Sequence, residues 1–224
     1  MERSFQHIAL EDNNTIPVLA GNLEPELLAM IKETVLKIKD NNPTAHNEYL
    51  AGAIKEEYKV KPSAIPELLY YLDEMYSTYS HHFKNIPSVM KDIAFESGAE
   101  VEIGDFWVNF QKKHEFNPIH HHDGLVSFVL WIQIPFDIEK EKAIYAGGTI
   151  NVTSQFQFVY PGLTNDIALK SFPVEKEWEG TILMFPSSLN HCVYPFYTSD
   201  DYRISLSGNL SLASAPDIKV TTTE

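Results

Sequence analysis

The spacing of apolar residues changes once along this chain, near residue 94, and that change limits the folds open to it. Before it, Leu27, Leu28, Ile31, Val35 and Ile38 recur at helical intervals. Asn22 is placed to cap this first helix, Pro25 stands in its first turn, and Asn41-Asn42-Pro43 ends it. A second helix is predicted from near Ser63 to about Asn85, with Leu68, Leu69, Leu72, Met75, Tyr76 and Tyr79 on one side. Residues 50–60 fit either a short helix or a loop.

After residue 94 the pattern is that of strands. Runs at 100–103, 106–111, 125–134, 149–152, 155–160, 181–185 and 202–212 are separated by Gly98, Gly104, Pro135, Gly147-Gly148, Pro161-Gly162, Gly180 and Pro186. Many short strands with such punctuation predict two packed sheets of the jelly-roll type. No linker-like segment separates helices from strands, so a single α+β, mainly β, domain over 1–224 is expected. In it, residues 1–93 form a mainly helical support layer packed on one sheet, and 94–215 form the jelly-roll core. Within 125–134, Val126, Phe128, Leu130, Ile132 and Ile134 should face the core, while Ser127, Trp131 and Gln133 suit a pocket wall. Phe106, Val108 and Phe110 alternate with Trp107, Asn109 and Gln111 in the same way. The charged stretch 137–142 reads as a solvated connection, with an active-site lid over 137–148 as the rival reading.

Charge and cysteine usage exclude several functions. Thirty-one acidic residues against 17 basic ones give a net charge of -14 and no basic stripe, which argues against nucleic acid as a partner. No apolar run approaches the roughly 20 residues of a membrane helix, and residues 1–10 lack a signal-peptide core. The single cysteine, Cys192, permits no intrachain disulfide and reads as a packing residue. A cytoplasmic protein is expected.

The chemistry concentrates in His120-His121-His122-Asp123, with His191 and Arg203 far downstream. Residues two apart on a strand share a face. His121 and Asp123 therefore form one candidate ligand pair, and His120 and His122 the competing one. A third ligand, His191, arriving from another strand end fits a facial site for Fe(II). Histidine clusters on exposed loops also bind metal adventitiously, but His191 and Arg203 weigh against that reading here. His81-His82, on the helical layer without a partner, reads as surface.

These residues resemble the 2-oxoglutarate and Fe(II)-dependent oxygenases, including members from bacteriophages and bacteria. The similar segments are Trp107-Val108-Asn109, Asn117-Pro118-Ile119 running into the histidines, Gly124, Ser127, the segment 180–187, His191, Val193, Pro195 and Arg203-Ile204-Ser205. The resemblance implies a double-stranded β-helix binding Fe(II), with 2-oxoglutarate as cosubstrate and O2 as oxidant. It implies metal ligation by His121, Asp123 and His191. Arg203 would receive the distal carboxylate of 2-oxoglutarate, with Ser205 adding a hydroxyl. Bacterial and phage relatives read H-x-H after the Asn-Pro pair, which keeps His120 and His122 open as the alternative register. The implied reaction hydroxylates a substrate and releases succinate and CO2. A peptide side chain or a small metabolite is the favoured substrate class. Two rivals remain: a cupin-like dioxygenase or isomerase using His120, His122 and His191 without a cosubstrate, and a non-catalytic jelly-roll binding module.

Overall fold

The computed structural model describes residues 3–10, 16–41, 43–47, 51–83, 101–144, 151–162, 164 and 166–212. Two helices, α1 (Pro25–Asp40) and α2 (Pro66–Phe83), precede most of the strands. The strands are β1 (Gln6–His7), β2 (Leu19–Asn22), β3 (Glu57–Val60), β4 (Val101–Gln111), β5 (Asn117–His120), β6 (Val126–Gln133), β7 (Phe156–Pro161), β8 (Ile167–Phe172), β9 (Thr181–Pro186), β10 (His191–Val193) and β11 (Arg203–Leu212). A seven-stranded sheet has the order β1-β2-β9-β6-β11-β4-β3, and a four-stranded sheet the order β5-β10-β7-β8. The strand pairings among the described residues are antiparallel, as expected of a jelly roll.

Strand alternation divides the apolar residues between two cores. Phe106, Val108, Phe128, Leu130, Leu206 and Met184 pack with Ile31 and Val35 of α1 and Leu68 and Leu72 of α2 on one face of the large sheet. Val129, Trp131, Phe156, Phe158, Leu183 and Phe185 fill the space between the sheets. Both faces of β6 are thus buried, where the sequence pattern had assigned one to the core and one to a pocket wall. Gly208 is required in the first core: a Cβ there would run into the Phe106 and Phe128 rings, which meet edge to face at 5.0 Å.

Several sequence expectations need correction. Asn22 does not cap α1; it ends β2, and its Oδ1 accepts a hydrogen bond from Thr181 Oγ1 at 3.0 Å. Residues 57–60 are neither helix nor loop but strand β3. Gly104 does not break β4, which runs through it. Residues 151 and 152 are not in a strand, and 145–150 lie outside the described residues, as do 84–100 and 213–224.

The largest correction concerns the charged stretch after β6. It forms a short helix, α3 (Ile138–Ile144), because Asp137 Oδ1 accepts the Glu139 backbone N–H at 2.9 Å, as an N-cap does. Ile138 and Glu141 are buried, so the stretch is anchored rather than solvated. The Glu141 carboxylate accepts the backbone N–H groups of Tyr197 (3.0 Å) and Thr198 (2.7 Å). Glu141→Ala is expected to lower stability by about 1.5–3 kcal/mol, because it removes the charged acceptor of these part-buried hydrogen bonds. Chemical denaturation of the two proteins measures the difference.

Candidate metal centre

The two short strands of the small sheet build the site. β5 pairs antiparallel with β10, and His191 stands directly opposite His120. Directly opposed residues share a face, and so do His120 and His122, two apart. Those three imidazoles therefore converge, with ring centroids 4.3 Å (120–191), 5.0 Å (120–122) and 5.1 Å (122–191) apart. One nitrogen from each lies within 4.8 Å of the others. The His122 backbone N–H donates to Ser187 O at 2.9 Å, which ties the end of the histidine run to the turn after β9.

His121 and Asp123 do not join this group. Alternation turns both to the opposite side, where they are exposed. The favoured register of the sequence reading is thus not the one the strands assemble; the alternative, His120 with His122, is. His191 is common to both.

The donor set fits a metal. His191 Nδ1 lies 2.9 Å from Leu189 O and His120 Nδ1 lies 2.7 Å from Pro118 O. A carbonyl only accepts, so each Nδ1 carries the proton and each Nε2 keeps its lone pair. Burial pushes the His122 imidazole down to about 4, His191 well below its ordinary range, and His120 down as well. Neighbouring imidazoles add to the shift, His120 in His122 and His191 and His121 in His120, while the Pro118 and Leu189 carbonyls oppose it in His120 and His191. Neutral imidazole is the form that ligates.

A cavity of about 40 Å³, room for a few ordered waters, adjoins the histidines. Its polar lining includes Asn109, Asn117, Ser205 and Ser207. Asn109 Nδ2 donates to Ser205 Oγ at 3.3 Å.

Arg203 stands two residues before Ser205 on the same face of β11, opposite Gln111 of β4. It is not a surface arginine paired with Asp200 or Asp201: it is 3% exposed. Its guanidinium donates to Gln111 Oε1 from Nε (2.9 Å) and Nη2 (2.7 Å), to Ser154 O from Nη1 (2.6 Å), and to Tyr194 O from Nη2 (2.8 Å). Among the described residues it forms no ion pair. Burial pulls its pKa down to about 9, against the pull of the nearby Glu141 carboxylate. Two members of this constellation, the backbone carbonyls of Ser154 and Tyr194, carried no sequence signal. Ser154 contributes a backbone carbonyl from a left-handed conformation (φ 62°), and its buried Oγ has no partner. Gln111 was noted as a pocket polar group but not as the arginine's clamp.

Residues 105–209 match the model of a protein family described as "Putative 2OG-Fe(II) oxygenase". No curated protein matches the chain. Several solved structures share its fold. A prolyl-4-hydroxylase from Pseudomonas putida aligns over 95% of this chain and 94% of its own, at 13% identity and a TM-score of 0.56. A viral collagen prolyl hydroxylase from Paramecium Bursaria Chlorella virus-1, in complex with 2OG, aligns over 93% and 96%, at 11% identity and a TM-score of 0.50. HygX from Streptomyces hygroscopicus, with nickel and 2-oxoglutarate bound, aligns over 89% and 84%, at 11% identity and a TM-score of 0.52. At these identities the likeness concerns the jelly-roll fold.

Proposed function

We propose, from the match of residues 105–209 to a 2OG-Fe(II) oxygenase family model, that the protein binds Fe(II) through His120, His122 and His191. On this reading it uses 2-oxoglutarate to hydroxylate an organic substrate. Bound iron, cosubstrate and O2 supply the oxidation of a C–H bond, with succinate and CO2 as coproducts. The chain's own share is to hold, orient and exclude water. The observation that carries the ligand assignment is the pair of Nδ1 contacts to Pro118 O and Leu189 O, which turn two Nε2 lone pairs toward one point. A facial set of three protein ligands leaves positions for a chelating cosubstrate and O2.

Arg203 is the anchor proposed for the distal carboxylate of 2-oxoglutarate. A buried guanidinium without a contacting carboxylate favours an anion that is brought to it. Ser205, on the same face and lining the cavity, adds a hydroxyl between arginine and histidines. A cosubstrate-free dioxygenase with the same three histidines would have no use for this cation. The cavity is smaller than 2-oxoglutarate and is not lined by Arg203 or Gln111, so binding requires side chains between the histidines and Arg203 to rearrange. Fe(II) and 2-oxoglutarate suit the reducing, cytoplasmic setting expected from the sequence.

The test is succinate formation. Protein loaded with Fe(II) without oxygen, then exposed to air with 2-oxoglutarate, is expected to release succinate slowly even before a substrate is known. Protein that takes up iron yet shows neither succinate release nor affinity for 2-oxoglutarate would contradict the proposal.

A further inference from the structure

Beside the histidines, the cavity wall formed by Asn109 and Ser205 continues across the sheet into a row of buried polar side chains. Glu57 of β3 stands directly opposite Asn109 of β4, and Asn109 directly opposite Ser205 of β11. The three side chains therefore form one row on the intersheet face, with neighbouring Cβ atoms about 4.5–5.5 Å apart. Asn109 lines the cavity. Glu57 is 1% exposed and Asn109 7%. Each keeps one oxygen with no hydrogen-bond partner, Glu57 Oε1 and Asn109 Oδ1. Their other atoms are engaged: Asn47 Nδ2 donates to Glu57 Oε2 at 3.2 Å, and Asn109 Nδ2 to Ser205 Oγ. The Glu57 carboxylate has no ion pair among the described residues.

We infer that Glu57 Oε1 and Asn109 Oδ1 are the specificity end of the cavity and receive a cationic, N–H-rich group of the substrate, an ammonium or a guanidinium. This rests on the oxygenase reading, because it takes the histidines as the reacting end. Two buried acceptors side by side call for donors, and a carboxylate calls for positive charge as well. The wider charge of -14 also attracts cations and repels anionic substrates. Burial, reinforced by the Glu115 carboxylate, pushes Glu57 up to about 7. A cation against Oε1 would pull it back toward the usual carboxylate range.

A group kept for binding rather than for stability has a signature. Raised above its ordinary value, Glu57 contributes stability that is full below the usual carboxylate range and is lost as pH rises through about 7. Glu57→Gln is therefore expected to melt higher than the parent at pH 8 and no higher at pH 5, while losing the cation site.

The binding experiment titrates capped lysine, capped arginine and their neutral counterparts, capped norleucine and capped citrulline, into the metal-free and the Zn(II)- and 2-oxoglutarate-loaded protein. Zinc allows binding without turnover. The cationic probes are expected to bind about tenfold or more tightly than the neutral ones, and Glu57→Gln to abolish that preference. In the wild-type protein, carbon NMR of the glutamate carboxyls is expected to show one high titration midpoint that falls on adding capped lysine and not capped norleucine. Equal affinities for charged and neutral probes, or no binding by any of them, would overturn the inference and leave a buried water as the occupant of this end. Affinities for Zn(II) and 2-oxoglutarate, measured on the same samples, report separately on the oxygenase reading. If they are intact and the preference is missing, only the present inference fails.

Discussion

His122→Ala is expected to lose more than about a hundredfold in Fe(II) affinity, while Asp123→Ala and His121→Ala bind iron as the parent does. Loss of even a hydrogen-bond partner behind a ligand typically costs 10–100-fold, and here a ligand itself goes. The contrast arises because His120 and His122 converge with His191, while His121 and Asp123 are exposed outside that group. Equilibrium dialysis against Fe(II) without oxygen, checked with Co(II) absorption, reads the three variants side by side. His122→Ala also removes a ring that packs at 5.1 Å on Trp107, so folding is verified by circular dichroism. Iron lost from Asp123→Ala and retained by His122→Ala would reverse the ligand assignment.

The second large effect belongs to Arg203. Arg203→Lys keeps a positive charge but cannot span Gln111 Oε1, Ser154 O and Tyr194 O together. Leaving two or three buried acceptors short is expected to cost about 2–4 kcal/mol of stability. Affinity for 2-oxoglutarate is expected to fall by more than about tenfold, since a point charge replaces a paired donor fork. Linkage separates the structural from the binding role. Saturating 2-oxoglutarate should raise the melting temperature of the metal-loaded parent and leave that of Arg203→Lys nearly unmoved. Parallel rises in both would remove Arg203 from the cosubstrate site.

The architecture was legible because its signals are local. Helical spacing in 27–38 and 68–79, and alternation in 106–111 and 125–134, each reflect a neighbour a few residues away. Among the strands that escaped notice, some carry a buried or exposed exception that disturbs their pattern. β3 carries the buried acid Glu57, and β8 is an edge strand with Ile167 and Leu169 exposed. β10 has three residues, too few for a period. The metal centre was half legible for the same reason. The sequence offered two faces of one histidine run, and the choice between them lies in the pairing of His120 with His191, a contact between distant segments. Arg203 stood out through the resemblance carried by Arg203-Ile204-Ser205. Its acceptors at 154 and 194 did not, because a backbone carbonyl leaves no mark on residue identity.

On the proposed reading, the guanidinium of Arg203, enclosed by Gln111 and two carbonyls without a carboxylate against it, would couple the folded chain to 2-oxoglutarate. Any anion that completes this enclosure binds the native state and not the unfolded one, so it lowers the fraction open to proteases. The lifetime of the enzyme in a cell would then rise and fall with the supply of 2-oxoglutarate, tying its abundance to central carbon flux without a dedicated regulator.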